Sequence, residues 1–165
     1  MFRSIGIKIN GKHVAKAFLR EDVAPLTSDA IWQALPIQGS LMHCTCSGEC
    51  VFFWIDAPLN IDTHKEAKAS NTFNKSSGVV HGAPLVIPEN LTCYVSRGDI
   101  VLTPDKNCIM VYGRRCVIRA YVGEFPSNAF AFIKDDSDLD YFEQHAKSTL
   151  QEGAKTIVFY RLEEN

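Results

Sequence analysis

Glu49, His43 and Tyr112 are the residues whose types and surroundings best suit proton-transfer chemistry. Glu49 follows Ser47-Gly48 at a break between two β-forming runs. A carboxylate at such an edge of an apolar sheet is partly withdrawn from water and suits a general base. His43 lies in a run whose alternation groups it with Thr45 and sets Met42, Cys44 and Cys46 on the opposite face. One of those faces looks into any pocket, and an imidazole there exchanges protons near neutral pH. Tyr112-Gly113-Arg114-Arg115 ends a strand with a phenol, a flexible glycine and two guanidiniums. Together these donate hydrogen bonds and clamp a carboxylate-bearing ligand. Ser47 and Asn128 add a hydroxyl and an amide that can orient such a ligand, and Phe53 and Phe130 add apolar walls. Each residue also has a plainer reading: a turn glutamate, a satisfied strand histidine, solvated hairpin arginines, an asparagine making its own turn, and aromatics of an ordinary core.

The elements that must position these residues are mostly strands. Ile5 to Ile9 alternates, Asn10-Gly11 tolerates positive φ, and Val14 to Leu19 resumes the apolar rhythm, which predicts a hairpin. A short helix of about three turns is predicted from Pro25, a first-turn residue, to a stop at Pro36, with Ala30, Ile31, Ala34 and Leu35 at helical spacing. Leu41 to Ile55 reads as strand, break and strand. Four more strands are predicted at 91–95, 100–104, 109–112 and 116–122. A second helix is predicted over 137–151, with Ser137 and Asp140 spaced as a capping box, Leu139, Phe142, Ala146 and Leu150 as its buried stripe, and Gly153 as its stop. A last strand runs over 156–162. Residues 60–82 are rich in Asn, Ser, Thr, Lys and His and read as a polar loop insertion, either a lid or a bland surface loop. With neither a repeat nor a linker, the expectation is one domain over 1–165, mainly β with two helices.

Composition limits the function classes. A net charge of -2 and the lack of any Lys/Arg run give no footprint for nucleic acid or for an anionic membrane surface. No apolar stretch reaches the eighteen or so residues of a membrane span. Met1 to Asn10 alternates like a strand instead of reading as a secretion signal, so six reduced thiols in a cytoplasmic protein are expected. Cys44-x-Cys46-x3-Cys50 lacks a second Cys pair at zinc spacing, so no metal is expected. Without a phosphate loop, a nucleophile elbow or a dinucleotide fingerprint, no cofactor is expected either.

Ala24-Pro25-Leu26-Thr27 through Ala34-Leu35 resembles the first helix of cyclophilins. Trp32 to Pro36, Ser47 to Phe53, Pro88-Glu89-Asn90, Gly98-Asp99-Ile100, Tyr112-Gly113 and Asn128-Ala-Phe130 resemble a bacterial family of compact cyclophilin-like proteins known as a domain of unknown function. The resemblance implies a cyclophilin-like closed β-barrel. Cyclophilins carry a catalytic Arg on the strand after the first helix, whereas His43 to Cys50 contains none, which argues against prolyl isomerase activity. The fold is also similar to that of opine synthases of the cucumopine and mikimopine type. That likeness implies a cofactor-free Pictet–Spengler condensation of L-histidine with 2-oxoglutarate, with Arg114 holding carboxylates, Tyr112 or His43 as acid and Glu49 as base. The alternative is a module that binds a metabolite or peptide without turnover, in a groove of Phe52, Phe53, Trp54 and Phe130. A homo-oligomer is a fold-level expectation only.

Overall fold

The computed structural model describes residues 2–59, 89–121 and 123–162. The chain begins with the expected hairpin: β1 (Ser4–Ile9) and β2 (Lys12–Leu19) are joined by Asn10 and Gly11, both at positive φ. That turn twists as the strands do, which explains why an Asn-Gly pair sits there. Helix α1 (Pro25–Ala34) starts at its proline and packs Ala30 and Ile31 into the core. Strands β3 (Ile37–His43) and β4 (Gly48–Trp54) follow, with β3 starting earlier than the alternation predicts.

Beyond the polar segment, whose residues 60–82 lie outside the described ones, come β5 (Leu91–Thr92), β6 (Asp99–Leu102) and β7 (Asn107–Cys116). Two expectations fail here. Gly113 does not end a strand, because β7 runs on to Cys116. The strand predicted over 116–122 is instead a small ribbon, β8 (Arg119–Ala120) paired with β9 (Gly123–Glu124). Strand β10 (Ser127–Ile133) was not predicted at all, although six of its seven residues are buried.

The second helix is also divided. α2 (Asp136–Lys147) buries Leu139, Phe142 and Ala146 as expected, and α3 (Thr149–Glu152) follows after Ser148. Its N-cap is Asp135 with no side-chain cap, so the Ser137/Asp140 box is not used, and the break turns Leu150 out to 60% exposure. Gly153, at φ 82°, ends the helical segment. β11 (Lys155–Arg161) completes the fold.

Among the described residues, eight strands run in the order β2-β1-β11-β3-β4-β7-β6-β10, and pairing of β10 with β2 closes them into an antiparallel barrel, with β5 added beside β10. Closure leaves the barrel no free edge. Its interior is filled by residues such as Ile5, Ile7, Phe53, Phe130, Phe142 and Phe159, all fully buried. Phe53 and Phe159 meet edge to face at 5.2 Å. Gly39 gives Phe53 its seat, since a Cβ there would come within 2.6 Å of the ring. A second, smaller cluster lies on the outer face, where Cys50, Val111, Cys116 and Ile118 are buried together. α2 lies across β2, β4 and β7. No helix among the described residues is long and apolar enough to cross a membrane.

Candidate active site

Cross-strand pairing decides which way His43 faces. His43 is opposite Val51, and Val51 is opposite Met110, two residues before Tyr112. Val51, Met110 and Tyr112 all belong to the inner core, so His43 and Tyr112 share the interior side of the wall. Their side chains meet: His43 Nε2 and the Tyr112 hydroxyl are 2.8 Å apart. His43 Nδ1 lies 2.8 Å from the Cys44 carbonyl, which can only accept. Nδ1 therefore carries the hydrogen, and in the neutral imidazole Nε2 accepts from the phenol.

Tyr112 is 4% exposed. Its pKa is pushed up to about 12, first by burial and then by the charges of Glu49, Cys50, Glu143 and Cys44. The phenol therefore keeps its proton throughout the physiological range and can act as a hydrogen-bond donor or acid.

Glu49 reaches this neighbourhood through a bulge. The β4–β7 register slips between Gly48 and Cys50, so that Cys50 faces Val111 while Gly48 faces Cys116. Extra β7 residues are accommodated within that slip. Gly48 has φ 104°, and any Cβ there would collide with the Arg115 carbonyl. Only glycine suits both demands. Across the bulge the Glu49 side chain lies directly over Gly113, where an added Cβ would come within 2.6 Å of Glu49 Cβ. The carboxylate Oε2 accepts the Arg115 backbone N–H at 2.9 Å. The break between the two β-forming runs is thus a device that aims a half-buried carboxylate at the segment following Tyr112.

Sequence reasoning missed Arg97 and Glu143 as neighbours of this site. Arg97 donates from Nε to the Tyr112 carbonyl at 3.0 Å, and its guanidinium pairs with Asp140 and Glu143 of α2 at 2.7 and 2.8 Å. This cation ties the helix to the strand that carries Tyr112 and brings the Glu143 charge near the phenol. In the sequence Arg97 stands beside Gly98-Asp99 and reads as turn punctuation, and nothing local signals its partners 43 and 46 residues away.

The remaining predicted site residues lie elsewhere or are otherwise engaged. Arg114 is exposed on the β7 segment over which Glu49 lies. Ser47 Oγ donates to the Arg119 carbonyl and accepts its N–H, both at 3.0 Å, which pins the β8 ribbon to the start of β4. Asn128 is 1% exposed; Oδ1 accepts the Glu89 N–H at 3.0 Å and Nδ2 donates to Thr27 Oγ1 at 3.1 Å. Glu89 in turn accepts the Leu26 and Thr27 N–H groups, so Asn128 supports a carboxylate cap on α1. Phe53 and Phe130 are fully buried core residues. Trp54, predicted to share a groove with them, is 48% exposed. Among the described residues no group of three His, Cys, Asp or Glu side chains is arranged to hold a metal ion.

The structure of McbB in complex with tryptophan matches with a TM-score of 0.68 at 14% identity, over 98% of this chain and 45% of McbB. The chain thus spans less than half of that protein. The hypothetical protein AF2241 from Archaeoglobus fulgidus matches with a TM-score of 0.56 at 16% identity, over 98% of this chain and 95% of that one. Both likenesses concern the fold. No curated protein matches the chain. The model of a family described as a protein of unknown function, DUF3830, matches residues 7–160, nearly the whole sequence, and the chain belongs to that family.

Proposed function

We propose that this protein is a small-molecule enzyme that condenses an amino acid with a 2-oxo acid by cofactor-free Pictet–Spengler chemistry, with L-histidine and 2-oxoglutarate as its substrates. The observation that carries the reading is the hydrogen bond between the buried Tyr112 and the half-buried His43, beside the Glu49 bulge. It combines an acid that stays protonated with a histidine to reload it and a carboxylate base.

The amine of the amino acid adds to the ketone carbon to give a carbinolamine. With His43 as the imidazolium, whose Nε2–H donates to the phenol oxygen, Tyr112 protonates the departing hydroxyl and takes the Nε2 proton in the same movement, so that no buried phenolate accumulates. Water leaves and the imine forms. The imidazole ring carbon then attacks the imine carbon, and Glu49 removes the ring proton to restore aromaticity. Arg114 offers a guanidinium to a substrate carboxylate. The tryptophan bound in McbB supports an aromatic amino acid as one substrate of a barrel of this kind.

The test is incubation of the purified protein with 2-oxoglutarate and either L-histidine or L-tryptophan, with mass spectrometry for an adduct that has lost one water. Wild type is expected to form the cyclised adduct, and Glu49→Gln to form it about 10²–10⁴-fold more slowly. Saturable binding of the amino acid without any adduct would instead make the protein a binding module.

A further inference from the structure

A polar cleft lies between the β1–β2 hairpin and the C-terminal end of α2, apart from the candidate active site. Its volume is about 280 Å³, close to the lower end of the range for small-molecule sites, about 300–1,000 Å³. Asn10 and Lys12 line it from the hairpin, His145, Ser148 and Glu152 from the helical segment, and Lys155 from the start of β11. Backbone pairing fixes the hairpin beside β11: the Asn10 N–H donates to the Thr156 carbonyl at 2.8 Å, and Asn10 Oδ1 accepts the Thr156 N–H at 3.0 Å. Neither His43, Glu49 nor Tyr112 borders the cleft.

Lys155 is the buried member of this group, at 8% exposure. A buried ammonium is tolerated only when paired. This one meets Glu152 Oε2 at 2.7 Å and donates to Ser148 Oγ and, at 3.3 Å, to the His145 carbonyl. Those contacts place a cation at the negative end of α2 and cancel the Glu152 charge. They use all three ammonium protons, so Lys155 is a charged wall of the cleft and not a free donor. Lys12 and Asn10 are different. Among the described residues the Lys12 ammonium and the Asn10 side-chain NH₂ have no partner, although both residues line the same cleft. On the helical side, His145 gives its Nδ1 hydrogen to the Tyr141 carbonyl at 2.9 Å, which leaves Nε2 as an acceptor in the neutral imidazole.

We propose that this cleft is a binding site for a small hydroxy acid, whose carboxylate takes the Lys12 ammonium and the Asn10 amide and whose hydroxyl donates to His145 Nε2 or to Glu152. The charges select the class. With Lys155 and Glu152 paired and His145 neutral, Lys12 is the uncancelled charge of the lining, and a single carboxylate balances it. A dianion such as a phosphate monoester would bring its second charge against Glu152, and an amino acid would bring its ammonium against Lys155. A hydroxyl meets neither objection, and Glu152 and His145 supply acceptors for it.

A cap on α2 accounts for Lys155 without any ligand, since its ammonium and the Ser148 hydroxyl both satisfy the His145 carbonyl. Asn10 is also what a tight turn at positive φ selects. Lys12 is the residue on which the two readings part: neither the cap nor the turn uses its ammonium, and the hydroxy acid does.

The experiment titrates the isotope-labelled 165-residue protein near neutral pH with glycerate, and in parallel with glycerol, L-serine and inorganic phosphate, following backbone amide shifts by NMR. It needs no turnover, so its result is independent of the condensation chemistry. Glycerate is expected to give saturable shifts at Asn10–Lys12 and His145–Lys155, glycerol none, and L-serine and phosphate binding at least about tenfold weaker. Lys12→Ala, at an exposed side chain, should weaken glycerate about tenfold with an unchanged melting temperature. Glu152→Gln frees the Lys155 charge and should tighten glycerate about threefold, a direction that a merely structural ion pair would not give. No saturable shift with glycerate, equal binding of glycerol, L-serine or phosphate, unchanged binding in Lys12→Ala, or shifts centred on His43 and Tyr112 would overturn the proposal.

Discussion

Strands β1 and β2 differ from strands β3 and β7 in how their inner rows are filled. Ile5, Ile7 and Ile9 on β1 and Ala15, Ala17 and Leu19 on β2 are all apolar and at most 1% exposed. On β3 the row of Ile37, Gly39 and Leu41 continues to His43, and on β7 the row of Cys108 and Met110 continues to Tyr112. The β11 row begins with Lys155, but its ammonium is taken up by Ser148, Glu152 and the His145 carbonyl. One side of the barrel thus packs throughout, while the other gives up packing at its rim for a phenol, an imidazole and an adjoining carboxylate. Uncompensated burial of such groups lowers stability, and their hydrogen bonds to one another limit that cost.

The largest expected effect lies in the packed interior. Phe159→Ala removes a fully buried ring from its edge-to-face partner Phe53 and should cost about 3–5 kcal/mol of stability, measured by urea denaturation. A loss under about 1 kcal/mol would show that the interior can collapse around the gap. Next is Gly113→Ala, which adds a methyl where the Glu49 side chain lies. Displacing the carboxylate by about an ångström should slow adduct formation about 10²-fold. An unchanged rate would separate the Glu49 position from the chemistry.

The smallest effect, and the most specific to the rim, is alkaline titration. Burial and the Glu49 charge raise the Tyr112 pKa from 10.0 to about 12, so the fold favours the neutral phenol. Its contribution to stability is complete below pH 10 and is lost as the pH rises through about 12. Near-ultraviolet phenolate absorbance should show a late-titrating tyrosine among the five that disappears in Tyr112→Phe. If the variant and wild type titrate alike, the phenol is not enclosed.

Much of the scaffold was legible because it rests on local rules. Asn10-Gly11 specifies a hairpin turn, Pro25 a helix start and Gly153 a helix stop. The unpredicted features are set by tertiary contacts. Ser127–Ile133 follows Pro126 and reads as a turn and a short apolar run, yet it becomes the closing strand because β2 and β6 both pair with it. Gly113 looks like a strand end; it is a gap that receives Glu49 from 64 residues earlier. Residue types alone picked out His43, Glu49 and Tyr112, because each interrupts an apolar run. They could not show that Asn128 and Ser47 are occupied by backbone and cap contacts, nor that Arg97 braces the Tyr112 strand. Those partners lie 15 to 101 residues away.

The account turns on the Tyr112 hydroxyl as an acid and not merely a packing group, and Tyr112→Phe tests this most directly when the melting temperature and the rate of adduct formation are measured on the same sample. The prediction is a melting temperature close to that of wild type and a rate lowered by about 10²-fold or more. A folded variant that forms adduct at the wild-type rate would contradict it.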